Sequence, residues 1–212
     1  MKYSKIKVKE LLSGDLGNVS TDENYKNLLF NKNVSNNLLL EDICFENCMF
    51  DNIDFGNIKL VNVSFVNCYL KNCDLSNQVF DKQFFSKVDF ENCKLMGVSL
   101  IDTFLKNISF KDCNCQYINL FESKINNFVI ENSIFCDSCF SEAEFKNVVF
   151  KEVNFSNSEF LRVHLNKIDF TDSNISGIAI DLNSLKGMII NMYQCKIIAD
   201  IFGVEVSDKD VK

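Results

Sequence analysis

The side chains best equipped for chemistry in this 212-residue chain are ten cysteines, one histidine and 29 carboxylates. Acid–base or nucleophilic catalysis needs a base within reach of its partner. The one imidazole, His164, sits between Val163 and Leu165, where alternation turns it outward as a solvated surface residue. Cys136-x-x-Cys139 has the spacing of half a zinc site, but no second pair and no nearby histidine completes it. No glycine-rich phosphate loop is present. No enzyme, cofactor or metal is therefore expected. The carboxylates remain, and with 22 basic residues they leave a net charge of −7. Residues 38–190 carry 13 basic and 21 acidic side chains, a net −8. Direct nucleic-acid binding is disfavoured by that sign.

What positions these side chains is a repeat. From Leu40 to Ile190 every fifth residue is large and apolar, with Cys115 the one weak member. Phe45, Phe50, Phe55, Leu60 and Phe65 open the series, and Phe150, Phe155, Phe160, Leu165 and Phe170 run near its end. A period of five matches neither a helix, at about 3.6, nor a flat strand, at about 2. Fixed-period self-similarity signals a solenoid. Two residues before most centres stands a small or β-branched side chain, as at Ile43, Cys48, Ile53 and Val63. Two residues after stands Asn in seven consecutive units, Asn47 to Asn77. Asn suits a corner because its amide bonds nearby backbone and it tolerates turn geometry. The absence of Pro suits a coil whose every N–H pairs with a neighbouring coil.

This pattern resembles the pentapeptide-repeat family. The resemblance implies an all-β solenoid, a right-handed quadrilateral β-helix with four pentapeptides, hence 20 residues, per coil. It covers about three quarters of the chain, and the divisions it suggests are an N-terminal extension and cap (1–37), the β-helix (38–190), and a C-terminal dimerisation helix and tail (191–212).

Twenty-residue columns then become the unit of reasoning. Asp51, Lys71, Glu91, Lys111, Glu131 and Lys151 alternate in sign through six coils, an order that any inserted loop would scramble. Cys48 and Cys68 share one column, and Cys73, Cys93 and Cys113 another. Stacked at roughly 4.8 Å they are expected to act as small buried hydrophobes in a reducing compartment, rather than as disulfides. One corner is acidic: Glu41, Asp42, Asp81, Asp102, Glu122, Glu142 and Asp181, with Lys82 and Arg162 opposing. The next is basic, with Lys87, Lys106, Lys146, Lys167 and Lys186 against Glu46. Gln78 and Gln83 put larger polar groups at inward positions, and Cys115 to Phe128 is irregular. If loops project anywhere, they project there.

The ends differ from the middle. Ser13-Gly14-Asp15 and Gly17-Asn18 read as turns, and Tyr25, Leu28 and Phe30 as an irregular first repeat. At the other end Asn191 is placed to N-cap a short α-helix that Gly203 closes. Tyr193, Ile197, Ile198 and Ile201 form one helical stripe, with Phe202 beside it. A simple end cap and a dimer seam both account for this apolar surface. The seam, joining two solenoids end to end, is the expectation.

The closing segment narrows the resemblance. Leu185-Lys186-Gly187-Met188, Met192-Tyr193-Gln194 and Phe202-Gly203-Val204 look like the ending of the Qnr quinolone-resistance proteins, which finish with Leu-Gln-Gly-Val, Asn-Tyr-Gln and Leu-Gly-Ile. That resemblance implies a non-enzymatic, DNA-mimicking protein. Its partners would be DNA gyrase and topoisomerase IV, which it protects from quinolones, and it would form a homodimer through Tyr193, Ile197, Ile198, Ile201 and Phe202. The acidic corner above is the topoisomerase-binding stripe this implies. Many Qnr proteins carry two projecting loops, and the unbroken columns here argue against large ones. Mimicry of a whole duplex is not expected. A rod of ~37 Å would face about 22 DNA charges at one per ~1.7 Å, against a net −8 for residues 38–190. No signal peptide and no apolar run near 20 residues are seen, so a cytoplasmic protein without a membrane span is expected.

Overall fold

The computed structural model describes residues 10–207, which form a right-handed β-solenoid of about 8 turns closed by one C-terminal helix. Its spine is five eight-residue strands, Ser64–Lys71, Phe84–Glu91, Phe104–Lys111, Lys124–Glu131 and Glu144–Lys151, each paired in parallel with the next. The register is twenty residues throughout: Phe65 pairs with Phe85, Phe85 with Leu105, Leu105 with Ile125, and Ile125 with Phe145. The other two faces are held by single bridges at the same spacing, such as Asp74 to Lys94 and Ser99 to Asn119.

Each strand of eight turns a corner midway, because its fourth residue has positive φ. Asn67, Lys87, Asn107, Asn127 and Asn147 lie between φ 54° and 57°. An L side chain in this region is crowded against its own backbone, and Asn and Asp tolerate it better than most residues. The corner amides also bond upward rather than only to local backbone. Asn67 donates to Asn47 at 3.0 Å, Asn92 to Asn72 at 2.8 Å and Asn147 to Asn127 at 3.0 Å. Where Lys82, Tyr117 or Glu122 holds a corner, φ is the same, so the coil imposes the turn and the residue complies.

The fivefold apolar series fills the interior. Phe45, Phe55, Phe65, Phe135, Phe140, Phe155, Phe160 and Phe170 are fully buried. Rings stack between coils, as with Phe90 on Phe110 at 4.8 Å and Phe140 on Phe160 at 4.9 Å. Cys115, the weak member, is buried in the same series.

The small slots do more than fill space. A hydroxyl or thiol there donates to the carbonyl 23 residues earlier: Thr103 to Phe80, Cys113 to Phe90 and Ser138 to Cys115. The same atom accepts the N–H of the slot residue one coil before it, as Cys93 Sγ does from Cys73 at 3.4 Å and Ser133 Oγ from Cys113 at 3.0 Å. Ser, Thr and Cys in this slot therefore supply a polar ladder inside an apolar core, a role that volume alone does not capture. The stacked thiols are hydrogen-bonding rungs as well as small hydrophobes.

No loop projects at Gln78 or Gln83, nor between Cys115 and Phe128. Gln78 lies in the slot, its Nε2 donating to Phe55 O at 3.0 Å and Ile58 O at 2.8 Å. Ile118, Leu120, Ile125 and Phe128 are buried in register. The twenty-residue register also reaches back before residue 38. Asn24–Lys26 pairs with Cys44–Glu46, and Leu29 with Met49. Above them Leu12–Gly14 pairs with Leu28–Phe30 at a spacing of sixteen, and Leu16 and Val19 join the core.

At the far end Asn191 N-caps the helix Met192–Ile201 with a reciprocal capping box to Gln194, and Gly203 follows at φ 71°. Gln194 is the plug. It is buried, and its Nε2 donates to Phe170 O and Ser173 O, both at 2.7 Å, so the helix completes hydrogen bonds that a further coil would otherwise make.

Candidate protein-interaction surfaces

The acidic corner is two neighbouring columns. Glu41, Asp81 and Asp181 occupy the outward position just after the buried centre, and Asp42, Asp102, Glu122 and Glu142 occupy the turn itself, at φ 51–61°. Their surroundings divide them sharply. Asp81 accepts Ser99 Oγ at 2.5 Å and Ile101 N at 2.9 Å. Asp42 accepts Asn62 Nδ2 at 3.0 Å. Glu142 takes Arg162 through Nε at 2.8 Å and through Nη2. Asp181 accepts the N–H groups of Arg162, Asn183 and Ser184 and the Ser184 hydroxyl, and these donors hold its carboxyl below the usual carboxylate range. Asp181 organises a tightened last coil in which Ser184, rather than residue 183, takes the buried slot. Four of the seven predicted residues are thus spent on internal structure. Spacing alone does not reveal this, because the partners come from neighbouring coils and turns.

Glu41 remains at the end of strand Leu38–Glu41, half-buried, and Asp102 and Glu122 remain as a pair. These two are exposed, stacked in successive coils, and have no ion pair within 4 Å among the described residues. Their backbones bond in sequence, Asp102 N to Phe121 O at 2.9 Å and Glu122 N to Ser141 O at 3.2 Å. Apolar groups flank Asp102 on both sides, whereas Lys124 stands after Glu122 where Phe104 stands after Asp102. On one face lie Ile101 and Phe121, half-buried. On the other, Phe84 and Phe104 stack at 5.6 Å with 44% and 40% exposure. The aromatic pair was not singled out from sequence, although both residues sit one before a repeat centre, a position that otherwise holds Ser64, Lys124 and Glu144.

The alternating column is in register, Asp51 with Lys71, Lys71 with Glu91, Lys111 with Glu131 and Glu131 with Lys151. One rung closes as an ion pair, Lys71 to Glu91 at 3.7 Å. Glu91 also accepts the Tyr69 hydroxyl at 2.5 Å, and burial together with that carboxylate pushes the Tyr69 pKa up.

The C-terminal helix corrects its predicted stripe. Ile197, Ile198 and Ile201 pack on the core and are half-buried, whereas Tyr193 is 88% exposed and Phe202 sits at the rim. Met192, Val204 and Val206 are exposed as well. One helical stripe cannot serve both the coil end and a partner, and the hydrogen bonds of Gln194 decide which side turns inward.

His164 is exposed, and its surroundings are Asn166, Asn183, Lys186 and Gly187. The groove of about 610 Å³ along Leu39, Asn57, Gln78 and Val79 has Lys59 as its one ionisable lining residue. Among the described residues, no group of three or more His, Cys, Asp or Glu is arranged to hold a metal. All ten cysteines are free thiols, seven of them buried. Burial pushes the Cys68 and Cys115 thiols up. No described helix is long and apolar enough to cross a membrane.

Parallel coils of four five-residue sides, an apolar centre in each side and a left-handed corner residue define a quadrilateral β-helix of pentapeptides. The profile of pentapeptide repeats, in eight copies, matches residues 41–77, and the same geometry continues to Ile190. Residues 41–77 are thus a run of pentapeptide repeats, and the coils beyond them share that geometry. No curated protein matches it significantly. Among solved structures it is similar to HetL, a pentapeptide-repeat protein involved in heterocyst differentiation regulation in the cyanobacterium Nostoc sp. strain PCC 7120. That likeness is 11% identity and TM-score 0.40 over 76% of this chain and 88% of HetL. It is also similar to full-length QnrB1, a plasmid-mediated fluoroquinolone-resistance protein, at 16% identity and TM-score 0.36 over 86% of this chain and 100% of QnrB1. The catalytic domain of Agl-KA matches at 10% identity and TM-score 0.41, over 82% of this chain and 46% of that one. At such scores these likenesses add nothing to the geometry.

Proposed function

We propose that the chain is a non-enzymatic, cytoplasmic rod that binds DNA gyrase and topoisomerase IV and relieves their inhibition by quinolones. The observation that carries this reading is the terminal segment. The residues resembling the Qnr ending, Met192-Tyr193-Gln194 and Phe202-Gly203-Val204, form one working unit: Gln194 plugs the last coil and Gly203 ends the helix. The exposed residues Met192, Tyr193, Phe202, Val204 and Val206 form the dimer surface in this reading, in place of Ile197, Ile198 and Ile201. Contact with the topoisomerase falls to the acidic corner, reduced to the side chains that internal bonds leave free.

The test is gyrase supercoiling in the presence of ciprofloxacin with purified protein added. Restored supercoiling at micromolar protein supports the reading, and no effect on the drug or on the enzyme removes it. A scaffold for a different cytoplasmic protein is the second reading. It is favoured by the smooth rod without projecting loops and by the apolar ridge beside Asp102 and Glu122. Recovery of a stable complex that lacks both topoisomerases, combined with no rescue, selects it.

A further inference from the structure

We infer that the ridge formed by Asp102 and Glu122, with Ile101 and Phe121 on one flank and Phe84 and Phe104 on the other, is a docking site for an arginine-bearing protein segment. The inference rests on the acidic-corner reading for where a partner binds, not for which partner it is.

Three observations point the same way. The first is an uncompensated charge pair. Like charges at roughly one rung spacing repel even when solvent screens them, and these two have no cation within 4 Å among the described residues. The second is the chain's own precedent in the same column. One coil beyond Glu122, Glu142 is bound by Arg162 from the following coil, through both Nε and Nη2. The turn column therefore accepts a guanidinium beside a carboxylate, and Asp102, which follows Lys82 in that column, and Glu122 make no such pair among the described residues.

The third is the apolar flank. A guanidinium is planar, weakly hydrated and stacks on aromatic faces, whereas an ammonium holds its water. Carboxylates lying beside exposed phenyl rings therefore favour arginine over lysine. Phe84 and Phe104, at 44% and 40% exposure, are large apolar surface beside Asp102. The ridge thus presents two acceptors beside exposed aromatic surface, which together suit a short segment in which arginine alternates with an apolar residue.

The test uses the full chain, isotope-labelled, titrated with the peptide acetyl-Arg-Leu-Arg-amide and with its Lys-Leu-Lys counterpart. Amide shifts confined to residues around 101–104 and 121–124, with the arginine peptide binding about fivefold tighter than the lysine peptide, support the site. Asp102→Asn with Glu122→Gln lowers that affinity about tenfold, and Phe104→Ser removes the arginine preference while leaving the fold's spectrum intact. Equal binding of the two peptides, shifts spread over Asp51, Glu91 and Glu131 as well, or unchanged binding by the double variant overturns the inference. A protein that takes the peptide at the ridge yet fails to rescue gyrase keeps the site and removes the topoisomerase reading. Gyrase rescue that survives Asp102→Asn with Glu122→Gln does the reverse.

Discussion

Replacing Gln194 by Ala separates the terminal helix as a plug from the terminal helix as an ornament. The native amide makes three hydrogen bonds in a buried setting: Nε2 to Phe170 O and to Ser173 O, both 2.7 Å, and Oε1 from Asn191 N at 2.8 Å. A neutral intramolecular hydrogen bond contributes about 1 kcal/mol net, and a buried group left unpaired costs somewhat more, so the loss is about 3 kcal/mol. Because a solenoid is held together coil by coil, most of that loss falls on the helix and the last coil. Native-state hydrogen exchange is the assay. Faster exchange by about a hundredfold for amides near Phe170 and Ser173 and for the helix, at about 1.4 kcal/mol per tenfold, is the expected outcome. Protection near Phe65 and Phe85 should stay as it was. Ile197→Ala is the companion, removing apolar contact while keeping the plug. A Gln194→Ala protein whose last coil exchanges like wild type, or one that loosens evenly along the rod, refutes the assignment.

Three further outcomes follow from the same geometry. Gly187→Ala should destabilise by about 1–3 kcal/mol in urea unfolding, because φ is +76° there and an added Cβ would meet Asn166 Oδ1 at 2.2 Å and Asn166 Cα at 3.3 Å. Of the ten thiols, Cys195 should react at once with a disulfide reagent, the half-buried Cys44 and Cys139 more slowly, and the seven buried ones only on unfolding. Early reaction of Cys93 would contradict its place between Cys73 and Cys113. The donors around Asp181 depress its pKa on folding, so the stability they give is complete above the unfolded value near 3.9 and declines as pH falls toward the lower folded value. Asp181→Asn should flatten the acid-side fall in stability, measured by denaturation between pH 5 and pH 2 at about 0.1 M salt.

The apolar period is enough to specify the solenoid. A five-residue apolar period that neither helix nor flat strand can satisfy leaves few alternatives, and the sign alternation from Asp51 to Lys151 fixed the coil at twenty residues before any coordinates. Asn191 and Gly203 marked the ends of the terminal helix, because N-capping and left-handed closure are local requirements. Which polar atoms are already occupied is settled by the stacking of coils. The thiols and hydroxyls of the slots bond to carbonyls 23 residues away, and Gln78 bonds to Phe55 and Ile58 instead of opening a loop. Asp81 and Asp181 serve backbone donors from other coils, whereas Asp102 and Glu122 serve none. The terminal stripe divided for the same reason, since its isoleucines pack on the last coil while Tyr193 faces out. Such choices depend on atoms brought together by stacking. A pattern read along one strand records the position of a carboxylate, but not the donor that the next coil places beside it.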